Sequence, residues 1–394
     1  MSETTLGALA KGGVLSLGDG YRTKQSELTD EGFRIIRVAD IKDGRISLDS
    51  PDFVSAAYDR QIGAKRATAG DVLLTTKGTV GRVAIVPESV SSAVYSPQLC
   101  WFRVADSGKI IPRYLSYWLQ SDAFLAQSAY MQGNTDMAPY ISLSDLRSSK
   151  IDLPPSSEQQ AIAEVLGALD DKIAANIALA AAAERLAIAE MSGLSQRTPL
   201  ADLVNLGKDQ LSVDRFRREV LDHYSLPAFD DEQLPAVEEG NDIKSAKFSL
   251  ASPVVLLSKL NPRFPRLWRV TPREGVVSVA STEFLVLHPR DVSPAMLWSV
   301  LAQPAFSAEL DTRAAGTSGS HQRVRPADAL TVEVRDPRTA PLKLKIATDA
   351  ALAAADLHRA ENRTLAATRD ALLPQLMSGK LRVRDAEAAA SAAL

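Results

Sequence analysis

The sequence predicts an α/β (mixed α+β) protein built twice. Two similar domains are separated by two long helices that form an intramolecular antiparallel coiled coil about a pseudo-two-fold axis. Three observations point there. The order of element types repeats under a shift of about 183 positions, an alanine-rich helix follows the double proline Pro154–Pro155, and a second such helix follows Pro337. A chain of 394 residues exceeds one ordinary domain and suggests two or three. The expected parts are domains at 1–153 and 196–338, helices at 154–195 and 339–384, and a tail at 385–394.

The repeat is one of pattern, with low identity. "GDVLLTTKGTVGRVAIV" (70–86) faces "SPVVLLSKLNPRFPRLWRV" (252–270), each an apolar β-run broken by a basic turn. "YSPQLCWFRV" (95–104) faces "ASTEFLVLHP" (280–289). "IPRYLSYWLQSDAF" (111–124) faces "SPAMLWSVLAQPAF" (293–306), each with helical apolar spacing that ends in Phe124 or Phe306. "GNTDMAPYISLSDL" (133–146) faces "GTSGSHQRVRPADAL" (316–330), a glycine-led polar loop before a short apolar segment. Asp145 pairs with Asp328, and Pro154 with Pro337.

Proline marks the exit from each domain, because it lacks the N–H that would continue a ladder and biases its predecessor away from helix. Ser156 and Gln159 have the spacing of a capping box, and the helix they open should run to about Gly193. Ile162, Leu166, Leu169 and Ile173 follow the alternating spacing of a coiled-coil seam, continued by Asn176, Ala180, Ala183 and Ala187. In the second helix the expected seam is Ile346, Ala350, Ala353, Leu357, Ala360 and Ala367. Small seam residues allow close approach of the two axes.

Composition narrows the function classes. No apolar run nears the roughly 20 residues that span a bilayer, and "MSETTLGALAKGG" lacks the layout of a signal peptide. No membrane association and a cytoplasmic location are expected. Cys100 is the only cysteine, which excludes an internal disulfide and a cysteine-based zinc site. His223, His288, His321 and His358 show no metal-ligand spacing. The net charge of −3 argues weakly against nucleic acid, whose affinity draws on Lys and Arg neutralising phosphates. The acidity is concentrated in the first helix, where residues 154–196 carry six acidic against two basic side chains.

"LPPSSEQQAIAEVLGALDDKI" and the closing "RDALLPQLMSGKLRV" resemble the specificity subunits of type I restriction-modification systems. The resemblance rests on Pro154, Pro155, Glu158, Gln159 and Ile162, then Leu169, Asp170 and Ile173, and finally Leu372, Leu373, Leu376, Ser378 and Gly379. It covers nearly the whole chain, although "DPRTAPLKLKI" in the second copy lacks the Glu-Gln pair. It implies a non-catalytic chain with two target recognition domains, each reading one half of a split sequence in double-stranded DNA while the helices space the halves. It also implies two methyltransferase (modification) subunits and restriction subunits as partners. The chain itself would hold no cofactor, with S-adenosylmethionine, ATP and Mg entering only through those partners.

The polar turns and loops supply candidate DNA contacts. In the first domain these are Thr75, Thr76, Lys77, Thr79 and Arg82, with Gln132, Asn134 and Thr135 in the later loop. In the second they are Lys259, Asn261, Arg263, Arg266 and Arg269, with Thr317, Ser318, Ser320, His321, Gln322 and Arg323. Arg, Lys, Asn and Gln can pair with base edges, while Ser and Thr can hold phosphates. The bland alternative is an exposed turn, and "KGTVGR" also fits a hairpin with glycines at the positive-φ positions. Expected partner contacts are Glu164, Asp171, Leu179 and Leu186 on the first helix and Leu372, Leu373 and Leu376 on the second.

Catalytic readings find little support. "NPRF" (261–264) carries Arg263 where the adenine-methyltransferase motif has proline, and no glycine-rich cofactor loop precedes it. Asp40 with Lys42, or Asp242 with Lys244, matches half of a nuclease site, a chance-level coincidence. Gly379-Lys380 is followed by Leu381, which breaks the P-loop pattern. The competing non-catalytic reading is a coiled-coil scaffold or adaptor that binds proteins rather than DNA.

Overall fold

The computed structural model describes residues 2–48, 50–132, 139–231, 233–314 and 322–394. By contact the chain divides into Met1–Ile173 with Thr364–Leu394, and Ala174–Arg363. The division cuts through both long helices, Ser156–Ser192 and Leu342–Met377. Each unit therefore owns part of each helix.

The two units share the strand order of their four-stranded antiparallel sheet and differ in a second sheet, which has four strands in the first unit and five in the second. In the first, Leu99–Val104 lies between Leu15–Asp19 and Val72–Thr75, and Val83–Ile85 completes an antiparallel sheet. In the second, Phe284–Pro289 lies between Val204–Leu206 and Val254–Ser258, and Leu267–Val270 completes it. Val72–Thr75 and Val254–Ser258 are buried along their whole length, which explains why these strands read as continuous apolar runs rather than alternating ones. A second sheet in each unit contains one parallel pair, Phe33–Ile36 with Ala93–Tyr95 and Val220–Tyr224 with Val277–Ala280. Short antiparallel pairs, Ser2–Thr5 with Lys150–Leu153 and Arg197–Pro199 with Glu333–Arg335, bring each unit's chain ends together.

The helices repeat as well, as Pro112–Trp118, Asp122–Gln132 and Leu143–Ser148, then Pro294–Leu301, Pro304–Thr312 and Pro326–Leu330. Four of the six begin with proline, whose missing N–H costs nothing in a first turn. The helical runs expected to end at Phe124 and Phe306 instead break before those residues, and both phenylalanines are buried in the following helix. In the first copy Ser121 Oγ donates to Trp118 O at the break, and in the second Pro304 starts the new helix.

The first helix buries six of its eight expected seam positions, Ile162, Leu166 and Leu169 in the first unit and Asn176, Ala180 and Ala187 in the second, and leaves Ile173 and Ala183 half-buried. The second helix departs from its expected seam. Ile346 and Leu357 are 61% and 69% exposed, and Ala350, Ala353, Ala360 and Ala367 are exposed too. The buried positions are Thr348, Leu352, Ala355, Leu365, Leu372 and Leu376, so over its first half the true seam lies two residues later. Within the second unit the helices run antiparallel, with Asn176 Nδ2 donating to Glu361 Oε2 at 2.7 Å and to Asn362 Oδ1 at 2.9 Å. Further along, Glu184 meets Arg359 at 2.7 Å. In the first unit Arg369 donates to Asp170 at 3.0 Å.

Gln159 does not form the expected capping box. Its side chain is buried, accepting from Ile111 N at 3.1 Å and donating to Lys109 O and Pro154 O, so it ties the start of the helix to the chain before Pro112. The stretch expected as a tail contains a further helix, Val383–Ala393, which buries Ala386 and Ala390 in the first unit's core. No helix among the described residues is long and apolar enough to cross a membrane.

Candidate functional site

The turn that follows the central strand in each unit meets the segment that follows the polar loop, and it does so through the same backbone bonds. In the first unit Ile141 N donates to Thr76 O at 3.0 Å, and Lys77 bridges to Tyr140. In the second, Val324 N donates to Lys259 O at 3.0 Å, and Leu260 bridges to Arg323. All four positions repeat at one offset, 183. Ile141 and Val324 are both buried and anchor the junction. Even the turn conformation repeats: Gly78 has φ +80° and Asn261 has φ +48°. Asparagine is among the few non-glycine residues that tolerate the left-handed region.

The candidate side chains at this junction separate by whether they already have partners. In the first unit Thr75 and Thr76 are buried. Thr75 Oγ1 accepts from Arg82 N at 2.8 Å, and Thr76 Oγ1 donates to Gln98 O at 3.0 Å, so both hold the hairpin and are withdrawn as DNA contacts. Arg82 spends its guanidinium on the carbonyls of Ile41 and Val38. Gln132 folds back onto Ser128 of its own helix. Thr79 and Lys77 are exposed, with the Lys77 ammonium 5.5 Å from the Tyr140 ring centre. Asn134 and Thr135 lie outside the described residues.

The second unit sorts the same way. Arg269 is corrected most firmly: its side chain is only 6% exposed, it pairs with Glu184 and Asp356, and its guanidinium lies 4.4 Å from the Trp298 ring centre. It fastens the strand Leu267–Val270 to both long helices. Arg266 forms a forked pair with Asp230 at 2.6 and 2.7 Å, and Arg323 another with Glu283 at 3.1 Å for both bonds. Hydrogen bonding to these carboxylates raises both guanidinium pKa values. Asn261 N donates to Gln322 O at 2.8 Å, and Gln322 is half-buried. Lys259 and Arg263 have no ion pair among the described residues. Thr317, Ser318, Ser320 and His321 lie outside those residues. Among the described candidate residues, the cations at the two junctions without an ion pair are therefore Lys77, Lys259 and Arg263.

Two exposed aromatics went unnoticed in the sequence. Tyr140 lies beside Lys77, and Phe264, 57% exposed, lies beside Arg263. For Phe264 the available signal was an apolar ring inside the basic turn "NPRFPR"; "MAPYIS" offered none for Tyr140. The lone cysteine, by contrast, is buried, and that burial pushes the Cys100 thiol pKa well above its ordinary value.

The expected partner contacts also divide. Leu179 and Leu186 are more than half exposed, and Glu164 is exposed with a bond from Gln160. Asp171 is taken by Arg113 at 3.0 Å. Leu372 and Leu376 are buried in the first unit's core and are withdrawn, while Leu373 is half-buried beside them.

Repeated topology and a repeated turn-to-loop junction define a duplicated α/β scaffold joined through shared helices. Residues 10–185, a little under half of the chain, match the family model of the type I restriction modification DNA specificity domain. It is 30% identical over 152 residues to the EcoBI type I restriction enzyme specificity subunit of Escherichia coli, covering 38% of this chain and 29% of that protein. It is 26% identical over 166 residues to the MjaVIII specificity subunit of Methanocaldococcus jannaschii, covering 41% and 38%. These matches thus span about a third of the relatives' length. The crystal structure of a type I restriction-modification S subunit from M. genitalium superposes with a TM-score of 0.54 over 95% of each chain at 13% identity, a likeness of fold.

Proposed function

We propose that this chain is the DNA specificity subunit of a type I restriction-modification complex, with each unit reading one half of a split duplex target. The observation that carries the reading is the junction repeated at one offset in both units, the first copy of which lies inside the matched DNA specificity domain. Because the junction residues differ between copies, the half-sites should differ. The chain performs no chemistry in this reading. Methyl transfer and cleavage, with S-adenosylmethionine, ATP and Mg, belong to methyltransferase and restriction subunits. Those subunits dock on the helices, where Leu179, Leu186, Ile346 and Leu357 expose apolar surface.

The test is to express the chain with its methyltransferase partner and map methylated adenines. The expected result is a two-part motif with a fixed gap, bound with steep salt dependence. Substitutions at Lys259 and Arg263 should alter affinity or preference in one half only. A complex that binds no duplex in a salt-dependent way would overturn the reading in favour of a protein-binding scaffold.

A further inference from the structure

We infer that Arg263 reads a guanine in the half-site of the second unit, with Phe264 as the positioning residue that holds its guanidinium plane. The inference rests on the DNA-reading function proposed above and adds the base and the device.

The four candidate arginines of this unit, Arg263, Arg266, Arg269 and Arg323, meet two fates. Arg266, Arg269 and Arg323 are committed to carboxylates. Arg263 is exposed, has no ion pair or hydrogen bond among the described residues, and stands 4.8 Å from the centre of the Phe264 ring. Contact with an aromatic face leaves the five in-plane N–H donors of a guanidinium free. It also narrows the rotamers, so less freedom is lost when the fork engages.

The backbone beneath is fixed at three points. Phe264 N donates to Asn261 O at 2.9 Å, Asn261 N to Gln322 O at 2.8 Å, and Ser307 Oγ to Pro262 O at 3.3 Å. An exposed phenylalanine on such a turn contributes little to a core, and its shown contact is with the arginine. Guanine presents two acceptors, O6 and N7, on the major-groove edge in the geometry that accepts an arginine fork. The first unit carries a cation-on-ring pair at its own junction, Lys77 with Tyr140, at positions that align with Leu260 and Arg323 rather than with Arg263 and Phe264. An ammonium is a point charge without a planar fork, so the device proposed here is specific to the second unit.

The experiment uses the chain assembled with its methyltransferase partner. Once the split target is known, each guanine of the second half is replaced in turn by 7-deazaguanine, which lacks the N7 acceptor, and by the other bases. One guanine should lose roughly 5- to 150-fold in binding on replacement. Arg263→Ala should abolish that discrimination and leave other positions unchanged. Phe264→Leu keeps apolar bulk without a π-face and should weaken discrimination at the same guanine, while Phe264→Tyr restores it. Uniform weakening by Arg263→Ala across all sequences would make it a phosphate contact and overturn the inference, as would a wild-type complex indifferent to every 7-deazaguanine. Equal discrimination by Phe264→Leu and wild type would overturn the positioning role. A complex with no split target at all would instead refute the DNA-reading function on which the inference stands.

Discussion

The two units share the topology of their antiparallel sheet but hold their helix segments by different chemistry. In the first, Ile162, Leu166 and Leu169 pack in one apolar cluster with Leu365, Leu372 and Leu376. In the second, alanines line the first helix's seam, Asn176 crosses to Glu361 and Asn362, and Arg269 and Arg359 converge on Glu184. Apolar packing is non-directional and tolerates sliding, whereas a buried amide or a forked ion pair is satisfied at one register only. Topology can thus be copied while the interactions that enforce it diverge.

Substitutions that strike one cement and spare the other test this difference. Arg269→Ala leaves Asp356 and Glu184 to share Arg359, and breaking a buried pair typically costs about 3–5 kcal/mol. Denaturant melts should show that loss, and hydrogen exchange should place it in residues 174–363. Arg269→Lys should recover only part, because an ammonium lacks the planar set of donors and the flat face that meets the Trp298 ring. Leu365→Ala removes a fully buried side chain from the first unit and should cost about 2–5 kcal/mol, with faster exchange confined to that unit. If each substitution loosened both units equally, the two cements would not be separate.

Asn176→Ala should cost on the order of 1 kcal/mol by removing hydrogen bonds between a buried amide and two half-buried acceptors. Its more telling readout is register: crosslinks between cysteines placed at positions 180 and 355 should become heterogeneous if the amide enforces alignment. A single crosslinking pattern with unchanged stability would remove Asn176 from that role.

The smallest effect is electrostatic. Hydrogen bonding from Arg338 holds the Asp336 carboxyl below its ordinary value of 3.8. A depressed carboxyl contributes stability above its unfolded pKa, and that contribution is lost as pH falls through the folded value. Asp336→Asn should therefore lower stability by a constant amount at neutral pH, and the gap to wild type should close below about pH 4. A gap that widened on acidification would reverse the assignment.

Much of the fold could be read from residue order, because apolar runs, basic turns and domain-closing prolines recur in register. The second helix shows where periodicity misleads. Ile346 and Leu357 drew the seam toward themselves, yet they are exposed while Thr348 and Leu352 are buried. At the junction, sequence located the turns but could not separate free cations from committed ones. The carboxylates that claim Arg266, Arg269 and Arg323 lie dozens of positions away, at Asp230, Glu184, Asp356 and Glu283, and no local pattern connects them.

The first unit is discontinuous: residues 174–363 lie between its two pieces. On the ribosome this imposes an order of events. The second unit is a continuous stretch and can close once its own residues have emerged. The core containing Ile162, Leu166 and Leu169 must wait for Leu365, Leu372 and Leu376. At synthesis rates of about 5–20 residues per second, roughly 190 intervening residues delay it by some 10–40 s. During that interval the apolar stripe of the first helix is a client for chaperones, and a nonsense mutation near residue 364 would strand the earlier-made domain while leaving the later one able to fold.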